Sequence, residues 1–176
     1  MKGRAAAVPG SNSTLASRLS VWLATGLGVG LVSPAPGTIG GLWGLALVPV
    51  ILQLPDLAWQ AAATAAVVLA AVAVCGRAAR TLGVVDDEQS IVLDEIAALP
   101  IVFLGVPAWN WTTAAVGYAL FRLFDIAKPG LARSAERLPG GWGVVADDVV
   151  AAALAWATFR GLLWLDAAAG WGWLPA

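Results

Sequence analysis

Two pairs of adjacent carboxylates, Asp94-Glu95 and Asp147-Asp148, are the side chains of this sequence best suited to chemistry. Each pair is followed by a long apolar stretch, where an uncompensated carboxylate is costly and marks a functional site by default. The alternative to a functional role is a structural one, because acidic residues favour the first turn of a helix. Because the residues just before Asp94 are already apolar, we predict that Asp94 lies inside a helix and not at its cap. Both pairs are interpreted as functional.

A third charged cluster, formed by Arg122, Asp125 and Lys128, lies between the two pairs at intervals of three residues. This spacing also allows a simple ion pair within one helix between Arg122 and Asp125. Pro129 is expected to end the helix and to fix Lys128 at its end. The carboxylates could hold a divalent cation, and the two cations could hold a phosphate. The combination indicates metal-assisted phosphate chemistry at a membrane surface.

Two loops rich in glycine and proline could bring backbone close to a ligand. In Ser33-Pro-Ala-Pro-Gly37-Thr38, we expect Thr38 to cap the next helix. That loop is either a plain cap or a phosphate cradle at a helix N-terminus. Pro139-Gly-Gly-Trp-Gly143 precedes the second acidic pair and offers glycines at a helix start. In a further loop, Asp87 or Glu88 could join a metal site, although a solvated turn is the simpler interpretation.

Composition excludes several classes of site. The chain has no histidine, which excludes serine-histidine triads, histidine phosphatases and histidine-ligated metal sites. A general base must therefore be a carboxylate or metal-bound water. Cys75 is the single cysteine, which rules out a disulfide framework and favours a buried hydrophobic role. A net charge of −1 gives no basic field for nucleic acid.

Apolar stretches must position these groups, and they predict an all-α polytopic helical membrane bundle with about four to five membrane-associated helices. The stretches cover residues 39–54, 57–76, 91–106, 109–124 and 144–165. Only the second and the fifth clearly reach the ~20 residues that cross a hydrocarbon core. The others are thin or tilted spans, or helices packed against the two long ones. Residues 15–23 are predicted to form an additional N-terminal interfacial helix.

The charges are distributed unevenly between the connections. Placing the N-terminal segment and residues 77–90 and 121–143 on one side collects nine of the ten cations there, and only Arg160 lies elsewhere. The positive-inside rule assigns that side to the cytoplasm. Both acidic pairs and the Arg122 cluster fall on the same side. We therefore predict that every charged cluster meets at one cytoplasmic interface.

Four motifs occur together in an order typical of one family. They are Ser33-Pro-Ala-Pro-Gly37-Thr38, Ile91-Val-Leu-Asp94-Glu95, Phe121-Arg122-Leu-Phe-Asp125-Ile-Ala-Lys128-Pro129 and Gly140-Gly-Trp-Gly143-Val-Val-Ala-Asp147-Asp148. With these motifs the chain resembles phosphatidylglycerophosphatase A from about Leu19 to Trp164. One departure is Ala98, where the family usually has glycine. The predicted organisation is a flexible tail over residues 1–14, one membrane domain of this kind over residues 15–166, and a C-terminal tail over residues 167–176.

The resemblance implies a Mg²⁺-dependent lipid phosphatase in the lipid bilayer of the bacterial inner membrane, with its site facing the cytoplasm. Its phospholipid substrate would be phosphatidylglycerophosphate, converted to phosphatidylglycerol. Resemblance and residue chemistry together suggest metal ligands Asp94, Glu95, Asp147 and Asp148, catalytic carboxylates Asp94, Glu95, Asp125 and Asp148, and phosphate-binding residues Thr38, Arg122 and Lys128. The chain lacks the Asp-x-Asp-x-Thr pattern of aspartyl-phosphate enzymes, which favours attack by metal-activated water.

Three other functions stay open. A phospholipid headgroup or phosphate transferase would use the same cations and the same metal. An ion-coupled membrane transporter would place its acids near the middle of the membrane rather than at one face. A scaffold protein would tolerate neutral substitutions of the acids.

Overall fold

The computed structural model describes residues 14–83 and 90–174. Within them the chain is helical and has no strand, which confirms the predicted all-α class. The helices are α1 Leu15–Ala24, α2 Val29–Val32, α3 Pro36–Leu52, α4 Leu57–Leu82, α5 Leu93–Ala98, the 3₁₀ helix Leu99–Phe103, α6 Trp111–Ala127, α7 Gly130–Ala135 and α8 Gly141–Ala169. The predicted N-terminal tail, except residue 14, lies outside the described residues, as do Asp87 and Glu88.

Two long helices, α4 and α8, form the frame of the bundle. They have 26 and 29 residues, and at 1.5 Å per residue they are about 39 and 43 Å long. Both are long and apolar enough to cross a membrane, as predicted for the second and fifth apolar stretches. They are the two helices of this kind in the described part of the chain. The count of four to five membrane helices therefore stays a prediction.

Local signals in the sequence define the ends of α4 and α6. The carboxylate of Asp56 caps α4 by accepting a hydrogen bond from the backbone N–H of Trp59 at 3.0 Å. Gly83 ends α4 with φ at 69°, in the left-handed region that favours glycine. α6 begins with a reciprocal capping box between Asn110 and Thr113.

The third apolar stretch forms the core of the bundle. α5 has only six residues, and Pro100 follows in the 3₁₀ helix. Phe103 is fully enclosed and packs against Gly117 of α6, where a Cβ atom would leave it no room. The ring of Phe103 also meets Phe159 of α8 edge-on, with centroids 6.0 Å apart. This stretch was predicted to be either a thin or tilted span or a helix packed against the two long ones. The packed arrangement is the one observed.

Helix α1 confirms that the predicted N-terminal segment is helical. It packs against α4 through buried side chains that include Val21 and Ala24. Its other face leaves large apolar side chains exposed: Leu15, Leu19, Trp22 and Leu23. Such a face suits a helix that lies in a membrane interface, and its placement there stays a prediction.

A contact between two glycines aligns the end of α4 with the start of α8. A Cβ atom on Gly76 would lie 2.8 Å from the backbone nitrogen of Gly141, so a larger side chain would push the helices apart. Gly141 is the first residue of α8. Cys75, beside this contact, is fully buried as predicted. The last turns of α4 and the first turns of α8 consequently lie at one end of the bundle.

Candidate active site

The residues predicted to carry function gather around one cavity of about 370 Å³. The loop before α3 and helices α3, α5, α6 and α8 contribute its lining. The lining includes eight residues that the sequence suggested as catalytic, phosphate-binding or metal-binding: Thr38, Asp94, Glu95, Arg122, Asp125, Lys128, Asp147 and Asp148. The predicted convergence of the charged clusters is therefore observed. Their individual roles stay predictions.

The first acidic pair lies in the first turn of α5. This helix begins at Leu93 with Val92 as its N-cap, so Asp94 lies inside the helix and not at its cap, as predicted, although it belongs to the first turn. Val92 is not helical because its backbone N–H donates to the carbonyl oxygen of Ala24 at 2.8 Å. Asp94 is only 6% exposed, and its Oδ1 accepts a hydrogen bond from the backbone N–H of Glu95 at 2.9 Å. Helix-start electrostatics thus explain part of this arrangement, yet both carboxylates also line the cavity.

The second acidic pair lies about two turns inside α8. The glycine-rich segment forms the first turn of this helix, which begins at Gly141. Asp148 is 4% exposed, and its carboxylate has no hydrogen bond or ion pair with any residue that the structure describes. The strongest charge acting on it is that of Asp94, which is also negative. Because a buried, uncompensated carboxylate is costly, Asp148 indicates a place for a cation.

Arg122 is held between two carboxylates from different helices. Its Nη1 lies 2.8 Å from Oε2 of Glu95 and 2.8 Å from Oδ2 of Asp125. The second contact confirms the intrahelical ion pair that the spacing allowed. Burial alone would lower the pKa of Arg122, but the negative charges of Glu95 and Asp125 outweigh it and the pKa is raised. The guanidinium therefore stays charged, with its orientation fixed by both partners.

Lys128 is a second cation held by two carboxylates. It ends α6 with φ at 40°, a left-handed conformation that is strained for a non-glycine residue and typical of functional positions. Pro129 follows, as predicted for the helix end. The Nζ of Lys128 lies 3.0 Å from Oδ2 of Asp147 and also bonds the carboxylate of Glu136, directly after α7. Arg122 and Lys128 are thus both positioned before any ligand binds.

The N-terminus of α3 closes the cavity beside these cations. α3 begins at Pro36 with Ala35 as its N-cap, so the prediction that Thr38 caps this helix was wrong. Proline suits the first position of a helix because the N–H that it lacks would have no helical partner there. Thr38 lies in the first turn, where backbone N–H groups have no partner within the helix. Such a helix start is a ready site for an anion.

Close packing holds the start of α3 against the Arg122 cluster. A Cβ atom on Gly37 would clash with Oε1 of Glu95 and would lie 3.1 Å from Nη1 of Arg122. A side chain at this position would therefore displace the carboxylate of Glu95 from its place beside Arg122. The hydroxyl of Tyr118 donates to the carbonyl oxygen of Thr38 at 2.7 Å, which ties α3 to α6.

Glu136 and Tyr118 were not singled out from the sequence. Glu136 follows α7, whose six residues are too few for an apolar period to predict a helix. Tyr118 had a usable signal, because it is the only tyrosine and precedes Arg122 by one helical turn.

The carboxylates of the cavity are compatible with a hard divalent cation. Mg²⁺ binds oxygen ligands, commonly one or two carboxylates together with waters and substrate phosphate. Among the described residues, no three acidic, cysteine or histidine side chains are arranged to hold a metal by themselves. Glu95 and Asp147 are paired with cations, whereas Asp148 has no ion pair with a described residue. Asp94 and Asp148 therefore fit a Mg²⁺ site shared with substrate better than a closed metal centre.

Comparison with known proteins gives a consistent result. The family model described as phosphatidylglycerophosphatase A matches residues 22–163. A phosphatidylglycerophosphatase A of Haemophilus influenzae is 40% identical over 131 residues, covering 74% of this chain and 80% of that protein. The Escherichia coli protein of the same name is 35% identical over 132 residues, covering 73% of this chain and 74% of that protein.

A further relative carries a different name. A Bacteroides thetaiotaomicron protein, provisionally named a phosphatidylinositol-3-phosphatase, is 37% identical over 144 residues, covering 77% of this chain and 87% of that protein. No solved structure gives a significant match to the chain.

Proposed function

Because the chain belongs to the phosphatidylglycerophosphatase A family, we propose that it hydrolyses phosphatidylglycerophosphate to phosphatidylglycerol and inorganic phosphate. One observation carries the proposal. A single cavity combines two cations that are already positioned, the start of a helix and a buried carboxylate without a partner among the described residues. These are the groups that bind a phosphate monoester and the cation that accompanies it.

The terminal phosphate would be bound by Arg122, Lys128 and the first turn of α3. Both cations are held by carboxylates from more than one element, so little further ordering is needed when substrate binds. The backbone N–H groups of Gly37 and Thr38 would donate to phosphate oxygens, as free amides at helix starts commonly do. Glu95 and Asp125 would position Arg122, and Asp147 and Glu136 would position Lys128.

The charge of the cavity supports the need for Mg²⁺. Five acids and two cations line it, so its net charge is −3 when all of them are ionised. A phosphate dianion would be repelled from such a cavity without a divalent cation. We propose Asp94 and Asp148 as the principal ligands, with Glu95 and Asp147 able to join them when substrate engages their cations. When bound, Mg²⁺ neutralises phosphate oxygens and acidifies water.

Side chains of the cavity would activate the attacking water and stabilise the charge that develops on the phosphate. Among the described residues, the cavity lining contains no serine, cysteine or histidine that could serve as nucleophile or base. Water attacks phosphorus while the bond from phosphorus to the glycerol oxygen breaks, and a carboxylate of the Asp94 and Asp148 pair accepts the proton from water. The same carboxylate then gives that proton to the glycerol oxygen, which leaves as an alcohol. Arg122 and Lys128 stabilise charge on the equatorial oxygens.

The location of the cavity supports action on a lipid. Two long apolar helices are typical of a membrane protein, and the cavity lies at the end of the bundle where α8 begins. We propose that this end lies at headgroup depth on the cytoplasmic side of the bacterial inner membrane, because that orientation follows the positive-inside rule. A lipid phosphate would then meet the cavity without leaving the interface.

Phosphate release from phosphatidylglycerophosphate by the purified chain in detergent tests the proposal, with Mg²⁺ and with chelator. Asp148→Asn and Asp94→Asn are expected to abolish release. Asp166→Asn is the matched control, because Asp166 is equally buried on the same helix and lies outside the cavity. No release by the folded wild-type protein, or release that chelator leaves unchanged, would refute the phosphatase or its Mg²⁺ respectively.

Two further assay arms separate the competing functions. Phosphatidylinositol 3-phosphate is the second substrate, because one relative is named for it, and faster release from it would replace the proposed lipid. Acceptor lipids without phosphate reveal a transferase, which would transfer the phosphate to them rather than release it to water.

A further inference from the structure

A second polar cavity, of about 480 Å³, lies between the end of α4 and the start of α1. Its lining consists of Arg77, Arg80, Thr81, Thr14, Ala16 and Ser17. None of these residues lines the catalytic cavity. We propose that this second cavity binds the headgroup phosphate of an anionic phospholipid, at a site separate from that of the substrate.

The two arginines of this cavity differ from the cations of the active site. Arg77 and Arg80 are exposed, and their spacing of three places them side by side on α4. Neither has a carboxylate partner among the residues that the structure describes. Two adjacent guanidinium groups repel each other, and an anion between them removes that repulsion. The planar guanidinium group also matches phosphate geometry through paired hydrogen bonds.

The other lining groups favour a lipid with net negative charge. The hydroxyl oxygens of Thr14 and Ser17 lie 3.0 Å apart, and that of Thr81 donates to the carbonyl oxygen of Arg77 at 2.9 Å. One proton of the Thr14 and Ser17 hydroxyl pair is thus left to donate to an oxygen of a phosphodiester, whereas the proton of Thr81 is already used. No carboxylate is among the described lining residues, so these residues offer no partner to the ammonium group of a zwitterionic headgroup.

The level of the cavity along α4 matches that of lipid headgroups. α4 is about 39 Å long and a hydrocarbon core is about 30 Å thick, so its last turns extend into the headgroup region. Arg77 and Arg80 lie in those turns. Beside them, α1 exposes Leu15 and Leu19, which acyl chains would cover. The phosphate of a lipid bound here would thus contact the two arginines, and its acyl chains would contact the apolar face of α1.

Native mass spectrometry of the full chain in detergent tests the site, with short-chain phosphatidylglycerol as probe. R77Q/R80Q is expected to weaken binding by about 30-fold, since each arginine near lipid phosphate contributes roughly a factor of five. The control R133Q/R137Q removes the same charge from exposed positions near α7 and is expected to bind as wild type does. Phosphate release with a short-chain substrate should be unchanged in R77Q/R80Q.

Two further probes identify the source of the phosphate. Phosphatidylcholine of equal chain length is expected to bind weakly and without dependence on the arginines. Inorganic phosphate should displace phosphatidylglycerol only at much higher concentration, and equal potency would overturn the lipid assignment.

A third variant keeps the site testable if R77Q/R80Q does not fold. Ser17→Glu adds a repelling charge to the cavity in the first turn of α1, where an acid is well tolerated, and should also weaken binding. Unchanged phosphatidylglycerol binding in folded R77Q/R80Q would reject the proposal. An equal loss in R133Q/R137Q would reject it too, because only general surface charge would then be involved.

Discussion

The two ends of α8 each bury an aspartate, and the two residues are satisfied in opposite ways. Asp148 is 4% exposed and Asp166 is 5% exposed. The carboxylate of Asp166 accepts hydrogen bonds from the backbone N–H groups of Trp173 and Leu174, each at 3.1 Å. Asp148 has no such partner among the described residues. Burial alone therefore does not distinguish a structural acid from a functional one, whereas the partners do.

The same contrast extends to the cations at each end. In the second half of α8, Arg160 donates to the carbonyl oxygen of Gly105 at 2.7 Å, and the neutral indole N–H of Trp156 donates to the carbonyl oxygen of Leu104 at 3.0 Å. These side chains hold backbone in place. At the other end, Arg122 and Lys128 hold carboxylates of neighbouring elements around a cavity. Charges paired with backbone stabilise the fold, and we expect the charges paired around the cavity to bind substrate.

Asp148→Asn should give the largest effect and the clearest test of this contrast. We expect phosphate release to fall more than about 10³-fold, or about 4 kcal/mol in the activation barrier, because a proposed principal ligand of Mg²⁺ is lost. In chelator, the thermal midpoint of the variant should rise by a few degrees, since an uncompensated buried charge has been removed.

Metal dependence of the thermal midpoint provides a readout that does not require activity. Mg²⁺ should raise the midpoint of the wild type, because a ligand that binds only the folded state stabilises it, and should not raise that of Asp148→Asn. A variant that is less stable than wild type in chelator would contradict the idea that Asp148 is uncompensated.

Substitutions of Arg122 should have the next largest effect. Arg122→Gln is expected to reduce kcat by about 10²-fold, the scale for loss of one donor that stabilises transition-state charge. Arg122→Lys keeps the charge but not the planar group that reaches Glu95, Asp125 and a phosphate together, so it should restore only part of the rate. Steady-state kinetics at saturating Mg²⁺ separate kcat from KM. Full rescue by lysine would show that charge alone matters here.

Glu136→Gln should have a smaller effect, because Glu136 acts through Lys128. We expect a loss of roughly 10-fold in kcat/KM, as for other residues that orient a functional side chain. Glu136→Asp should recover part of it. In a double-mutant cycle with Lys128→Met, the effect of Glu136→Gln should largely disappear. If the two losses simply add, Glu136 contributes to stability rather than to the position of Lys128.

The sequence predicts the features whose causes are local. The two long apolar helices, the Arg122-Asp125 pair and the helix end at Lys128-Pro129 each follow from residues within a few positions. The start of α5 does not, because Val92 is held by a hydrogen bond from its N–H to Ala24, distant in the chain. Glu136 could not be predicted either, since its role depends on how the short helix α7 packs against α8. Contacts between helices distant in sequence determine both the start of α5 and the role of Glu136.

Asp166→Asn should have the smallest effect on activity and the opposite effect on stability from Asp148→Asn. Asparagine can accept from only one of the two N–H groups that Asp166 satisfies, because its amide NH₂ cannot replace the second oxygen. We expect the variant to lose about 1–3 kcal/mol of stability and to release phosphate at a rate within about twofold of wild type, since Asp166 touches no reacting group. Thermal unfolding in chelator, measured beside Asp148→Asn, compares the two ends of one helix directly. If both variants lower the midpoint equally, the partners of a buried acid do not report its role, and the assignment of Asp148 must rest on the kinetics alone.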